Sequence, residues 1–160
     1  MTIKPGDCIP SATLFIMGTD GPKSCPTIDL FKGKKVALFG LPGAFTPTCS
    51  AEHVPSYLRN ASALKEKGID SIICLSVNDA FVMKAWGNEL DVGDDIIMAS
   101  DGNAQFSKAM GLDLDLTDHG MGVRCQRFSM IVDDGLVSKL NHEPPGEYRI
   151  SSAETMLEQL

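Results

Sequence analysis

No run of apolar residues in this chain approaches the roughly 18 that a membrane-crossing helix needs. No CxxC pair occurs. The three histidines, His53, His119 and His142, show no metal-ligand spacing beside the cysteines, so no structural zinc site is expected. Basic residues are scarce, 14 Lys and Arg against 21 Asp and Glu for a net charge of −7, and they are dispersed along the chain. Nucleic acid and anionic membrane surfaces reward a concentrated basic patch, so neither is expected as a partner. Internal repeats and low-complexity tracts are missing as well. The opening MTIKPGDCIP carries neither an apolar signal region nor an Arg-rich amphipathic stretch, which leads us to expect a cytoplasmic protein. Five cysteines, an odd number widely spaced, do not make a disulfide framework. Most of them, Cys8 and Cys25 included, are expected to be buried small hydrophobes in a reducing compartment.

What is present is one domain's worth of chain. The 160 residues are 43% apolar and 22% charged, enough for a core and ordinary for a globular protein, so residues 1–160 are read as a single domain. Residues 12–17 (ATLFIM) read as a strand followed by the turn-rich TDGPKSCP. VALFG at 36–40 is a buried strand, and IDSIICLSV at 69–77 another. Between them Val54, Tyr57, Leu58, Ala61 and Leu64 fall at helical spacing, which predicts a helix from about Thr48 to Lys67, kinked at Pro55 and closed by Gly68. A helix over DAFVMKAWGNEL, a strand over IIMAS and a helix around NAQFSKAM follow. Asp133-Asp134-Gly135 joins two strands in a hairpin. The last helix, within SSAETMLEQL, is expected to open on a capping box from Ser151 to Glu154. Strands alternating with helices predict an α/β fold with a mixed central sheet flanked by helices, compatible with a thioredoxin-like fold bearing an N-terminal extension.

The densest chemistry lies in LPGAFTPTCS. Cys49 falls where the helix after the 36–40 strand should begin, and free N–H groups and the helix dipole favour a thiolate there. Pro42, Gly43 and Pro47 stiffen the loop, and Pro42 has no N–H with which to quench the sulfur. Thr46 offers a hydroxyl that can donate to the sulfur and accept from a peroxide O–H; alternatively it only caps the helix beside an inert thiol. Thr46-Pro47-Thr48-Cys49 occupies the place of a CxxC tetrapeptide but has one sulfur, so dithiol exchange is unavailable and attack on a small oxidant, giving a sulfenic acid, remains. Helix-end effects supply about 2 kcal/mol at most, so a nearby cation is expected as well.

PGAFTPTCSAEHVP, with Pro42, Thr46 and Cys49 in a PxxxTxxC pattern, resembles the peroxidatic-cysteine segment of type II peroxiredoxins. KPGDCIP, FKGKKVALFG, CLSVNDAFVMKAWG and RFSMIVDDGLV extend the resemblance over nearly the whole chain. It implies a thioredoxin-like fold and reduction of hydrogen peroxide and alkyl hydroperoxides by thiols, without a cofactor. It implies that Arg127 is the missing cation, with Arg124 at a second position that is often Arg. His53 matches a recurrent family position, where a structural and a catalytic role are both open. The resemblance also implies a homodimer, with glutathione, glutaredoxin or thioredoxin as reductant. The C-terminal resolving cysteine of one branch is replaced here by Ser151 and Ser152. Cys74 matches the second cysteine of plant-type members, although its apolar strand reads as a place for a buried, structural thiol. Cys125, near Arg124 and Arg127, is expected to be biased toward thiolate and open to modification or pairing between chains. A redox-sensing or chaperone-like scaffold is the alternative from another class.

Overall fold

The computed structural model describes residues 1–160. Strands β1 (Thr13–Gly18) and β2 (Gly21–Pro26) form a hairpin, followed by the short helix α1 (Thr27–Phe31) and strand β3 (Lys35–Gly40). A π-helical turn (Cys49–His53) leads into α2 (Val54–Arg59) and α3 (Ala61–Glu66), then β4 (Ser71–Ser76), α4 (Ala80–Glu89) and β5 (Ile97–Ser100). The second half holds α5 (Gln105–Ala109), β6 (Asp113–Leu116), β7 (Gly122–Cys125), β8 (Phe128–Asp133), β9 (Leu136–His142) and α6 (Ala153–Gln159). Seven strands make one sheet in the order β2-β1-β5-β4-β3-β8-β9, with β6 and β7 as a separate pair. The β3, β4 and β5 ladder is parallel and the remaining pairs are antiparallel. This is the mixed sheet flanked by helices that the sequence predicts.

The central strands read as continuous apolar runs because both faces are covered. Along β3, Ala37 and Phe39 enter one core cluster and Val36 and Leu38 the other. Along β4, Ile72 and Cys74 face the first while Ile73 and Leu75 face the second. The period of two therefore sorts the cysteines: Cys49 and Cys74 share one face of the sheet, and Cys125 lies in the core on the opposite face.

Three expectations need correction. GPKSCP, read as a turn, forms β2; its prolines are tolerated because β2 is an edge strand. The 48–67 helix is not one kinked rod. The Val54 N–H donates to the Cys49 carbonyl five residues back, widening the turn just before Pro55, and the chain breaks again at Asn60. The cap of α6 is Ser152, whose hydroxyl accepts from the Thr155 N–H. Ser151 is taken elsewhere, as described below. The Asp134-Gly135 turn has positive φ at both residues, 48° and 81°, as a tight hairpin with right-handed strands requires. The N-terminal segment runs beside β9, with Gly6 N–H donating to the Val137 carbonyl at 2.8 Å and Ile9 N–H to that of Gly135 at 2.8 Å.

Candidate active site

The site is built where β3 gives way to the π-helical turn. A Cβ on Gly40 would lie 2.2 Å from Cε1 of Phe128, so the end of β3 can pass the buried Phe128 ring only as glycine. At Gly43 a Cβ would meet Nη1 of Arg124 at 2.9 Å. The loop is pinned by Asn78, whose Oδ1 accepts from the Ala44 N–H at 2.9 Å and from Ser76 Oγ at 2.6 Å. Phe45 takes a left-handed conformation, φ 64°, in which a bulky side chain is strained, and its ring reaches Trp86 at 6.3 Å. Trp86, fully buried in α4, donates from Nε1 to Ser50 Oγ at 3.0 Å, tying that helix to the residue after Cys49.

The Thr46 carbonyl accepts from the Ser50 N–H at 3.0 Å, so the helical turn opens at Pro47 and Cys49 lies in its first turn. Cys49 is 1% exposed. Nη2 of Arg127 donates to its Sγ at 3.2 Å across 78 residues of sequence. The other fork nitrogen, Nη1, lies 2.8 Å from Nδ1 of His53. A guanidinium only donates, so Nδ1 must be the bare nitrogen; Nε2 then carries the proton and donates to the Ser151 carbonyl at 3.0 Å. Burial, with the Arg127 charge second, pushes the His53 pKa down from 6.5 to about 3, partly opposed by the Ser151 hydrogen bond. His53 is therefore a neutral acceptor that holds Arg127. It lies 4.9 Å from the Phe39 ring and 5.2 Å from Tyr148, and Tyr148 also underlies the Arg127 guanidinium at 5.8 Å.

The remaining sequence candidates fall in different places. The Thr46 hydroxyl does not donate to the sulfur: its proton goes to the Gly43 carbonyl at 2.7 Å, which leaves it only acceptor capacity. Arg124 does not reach Cys49; it donates to the carbonyls of Met121 at 2.9 Å and Pro42 at 3.3 Å and so braces the loop. Cys74 is fully buried in β4 between Phe39 and Met98 of the neighbouring strands, and burial, aided by Cys49 and Cys125, pushes its thiol pKa far up. Cys125 is not the activated thiol its arginine neighbours suggested. It is fully buried on the other face, and burial pushes its pKa up to about 12. Cys8 and Cys25, expected inside, are exposed and half-buried. No group of three or more His, Cys, Asp or Glu is arranged to hold a metal ion.

A cavity of about 110 Å³ bounded by Pro42, Thr48, Gln126, Arg127 and Glu143 adjoins the site. A larger one of about 350 Å³, beside Lys84 and Met98, is lined by no cysteine, so chemistry rather than size marks the site. A buried sulfur, a fixed guanidinium and a small cavity suit attack on a small oxidant.

The Redoxin family model matches residues 4–157. The chain belongs to that family, as a type II peroxiredoxin. It is 47% identical over 164 residues to the chloroplastic peroxiredoxin-2E-2 of Oryza sativa subsp. japonica, covering 99% of this chain and 73% of the relative. It is 46% identical to peroxiredoxin-2B of Arabidopsis thaliana, covering 99% of this chain and 98% of the other. Reduced Prx3 of Vibrio vulnificus in complex with hydrogen peroxide superposes with a TM-score of 0.95 at 47% identity, over 99% of each chain. The fold is thioredoxin-like and the enzyme is a thiol-dependent peroxidase. No helix is long and apolar enough to cross a membrane.

Proposed function

We propose that Cys49 is the peroxidatic cysteine and that Arg127 is the cation that activates it. The observation that carries this reading is the Arg127 fork, one nitrogen 3.2 Å from Cys49 Sγ and the other fixed on His53. The thiolate attacks one peroxide oxygen in line. The S–O bond forms as the O–O bond breaks, sulfur is oxidised to the sulfenic acid, and the departing RO⁻ takes a proton to give water or an alcohol. Arg127 stabilises charge on the sulfur and on the oxygens, and the free lone pairs of Thr46 accept a hydrogen bond from the peroxide O–H. Pro42 walls the entrance without donating. Arg124 supports that wall through the Pro42 carbonyl, and His53 orients Arg127 without exchanging protons.

The sulfenic acid is reduced by an external thiol, glutathione with glutaredoxin or thioredoxin. One thiol condenses to a mixed disulfide with loss of water, and a second releases Cys49 as thiol. Cys74, although on the same face of the sheet as Cys49, is held in the middle of the parallel ladder. Reaching it requires opening β4 and the π-helical turn, a conformational cost on the intramolecular route. A homodimer in the cytoplasm completes the reading, with the exposed Phe45 and Phe81, one beside the site and one at the start of α4, as apolar surface available to a second copy. Steady-state peroxide consumption by the wild type and Cys49→Ser, with glutathione–glutaredoxin and with thioredoxin in parallel, tests the assignment and identifies the reductant. Turnover by Cys49→Ser above about a tenth of wild type, one tenfold step in rate, contradicts it.

A further inference from the structure

Glu143 follows β9 and is charged, yet only 2% of it is exposed. Its Oε2 accepts from the N–H groups of Arg149, Ile150 and Ser151 at 2.7, 2.8 and 2.9 Å and from Ser151 Oγ at 2.7 Å. Its Oε1 is buried with no partner in the chain. Burial pushes the carboxyl pKa up, but the Ser151 hydroxyl and the three N–H groups outweigh it and hold the group below the usual glutamate value. A buried carboxylate with all its donors on one oxygen gathers the backbone of residues 149–151 into a single conformation.

That conformation aims the Ser151 carbonyl at the active site, where it accepts from His53 Nε2 and from Tyr57 Oη, both at 3.0 Å. The same carbonyl thus places the His53 proton on Nε2 and leaves Nδ1 bare for Arg127. Were the proton on Nδ1, two donors would face each other at 2.8 Å and the guanidinium would have to move off the sulfur. Glu143 also binds Arg127 from the other side, since its own N–H donates to the Arg127 carbonyl at 3.0 Å.

We infer that Glu143 is a positioning residue for the peroxidase reaction, setting the Arg127 fork through the 149–151 backbone, the Ser151 carbonyl and the His53 tautomer. The inference rests on the proposed roles of Cys49 and Arg127. It differs from a structural role because it acts on which nitrogen of His53 carries the proton. The test uses the full chain with Glu143→Gln, which keeps an acceptor but loses the charge, and Glu143→Ala. Each is checked for folding by circular dichroism. Single-turnover oxidation by hydrogen peroxide and the ¹⁵N shifts of the His53 ring are then measured. Wild type should show neutral His53 protonated on Nε2. The Ala variant should lose that signature and react about 10- to 100-fold more slowly, the size of effect a misplaced catalytic group produces. The Gln variant should fall between the two in both readouts, and it carries the test alone if the Ala variant does not fold. Folded variants that react at the wild-type rate overturn the inference, as do slower variants in which His53 keeps its tautomer. A wild-type protein in which peroxide leaves Cys49 untouched refutes the proposed function instead.

Discussion

Arg127 contributes a planar fork, and its two ends do different work. Arg127→Lys keeps the charge but cannot hold both His53 and the sulfur, so peroxide reactivity of Cys49 should fall about 10²- to 10³-fold, as when a directed donor is lost. Thr46→Val removes the acceptor lone pairs at nearly constant volume and also the bond to the Gly43 carbonyl. It should slow the reaction and cost about 1 kcal/mol of stability. Stopped-flow oxidation of both variants checks this, and wild-type rates in both would remove these residues from the mechanism. His53 makes a separate statement about pH. Between its usual value of 6.5 and about 3 the unfolded chain binds a proton there that the folded chain does not. Its contribution to stability is therefore complete above pH 6.5 and is lost as pH falls. Urea unfolding at pH 7.5 and pH 5 should differ by about 2 kcal/mol, at about 1.4 kcal/mol per pH unit below 6.5. A midpoint that does not move between those pH values contradicts a buried neutral His53. Sequence spacing alone indicated Cys49 and its loop, because proline, threonine and cysteine are local to one another. Arg127, 78 residues away, was accessible only through family resemblance. Cys125 was misjudged because Arg124 turns to the Pro42 carbonyl and Arg127 to Cys49 and His53, while Cys125 enters the core on the opposite face of the sheet. Glu143 was missed because nothing in HEPPGEYRIS signals that its carboxylate is buried.

Among the elements, β3 and β4 were legible from their apolar runs and β8 and β9 from the hairpin signal between them, whereas β2 was read as a turn. The less visible features follow from partners distant in sequence. The capping register of α6 moved by one residue because Ser151 serves Glu143, leaving Ser152 as the cap. The π-helical turn reflects Pro55, which has no N–H to continue an α-helical ladder, and a wide turn absorbs the mismatch. Gly40 sits at the junction of β3 with the active-site loop. Gly40→Ala places a methyl into the Phe128 ring at 2.2 Å, and Phe128 is fully buried, so the ring cannot swing aside. Overpacking of this kind should destabilise by about 1–3 kcal/mol. Thermal unfolding that shows no loss of stability in Gly40→Ala would mean that β3 and β8 can separate more freely than this packing implies. Trp86 joins the elements around the loop: Trp86→Ala should cost about 3–5 kcal/mol, as for other large buried side chains.

At the scale of the whole molecule, the sheet separates its thiols by face and by depth. Cys49 and Cys74 lie on one side, Cys125 on the other, and Cys8 is outermost. An external thiol route predicts that, after one equivalent of peroxide without added thiol, Cys49 sulfenic acid persists long enough to be trapped; quantitative Cys49–Cys74 disulfide would overturn that route while leaving Cys49 as the nucleophile. The central claim is that placement beside Arg127, rather than exposure, decides which sulfur reacts. The most direct measurement treats the reduced protein with one equivalent of hydrogen peroxide in the presence of a sulfenic-specific reagent and locates the modification by peptide mass spectrometry. The account predicts oxidation at Cys49, 1% exposed, ahead of the exposed Cys8. Modification at Cys8 or Cys25 with Cys49 left as thiol would contradict it.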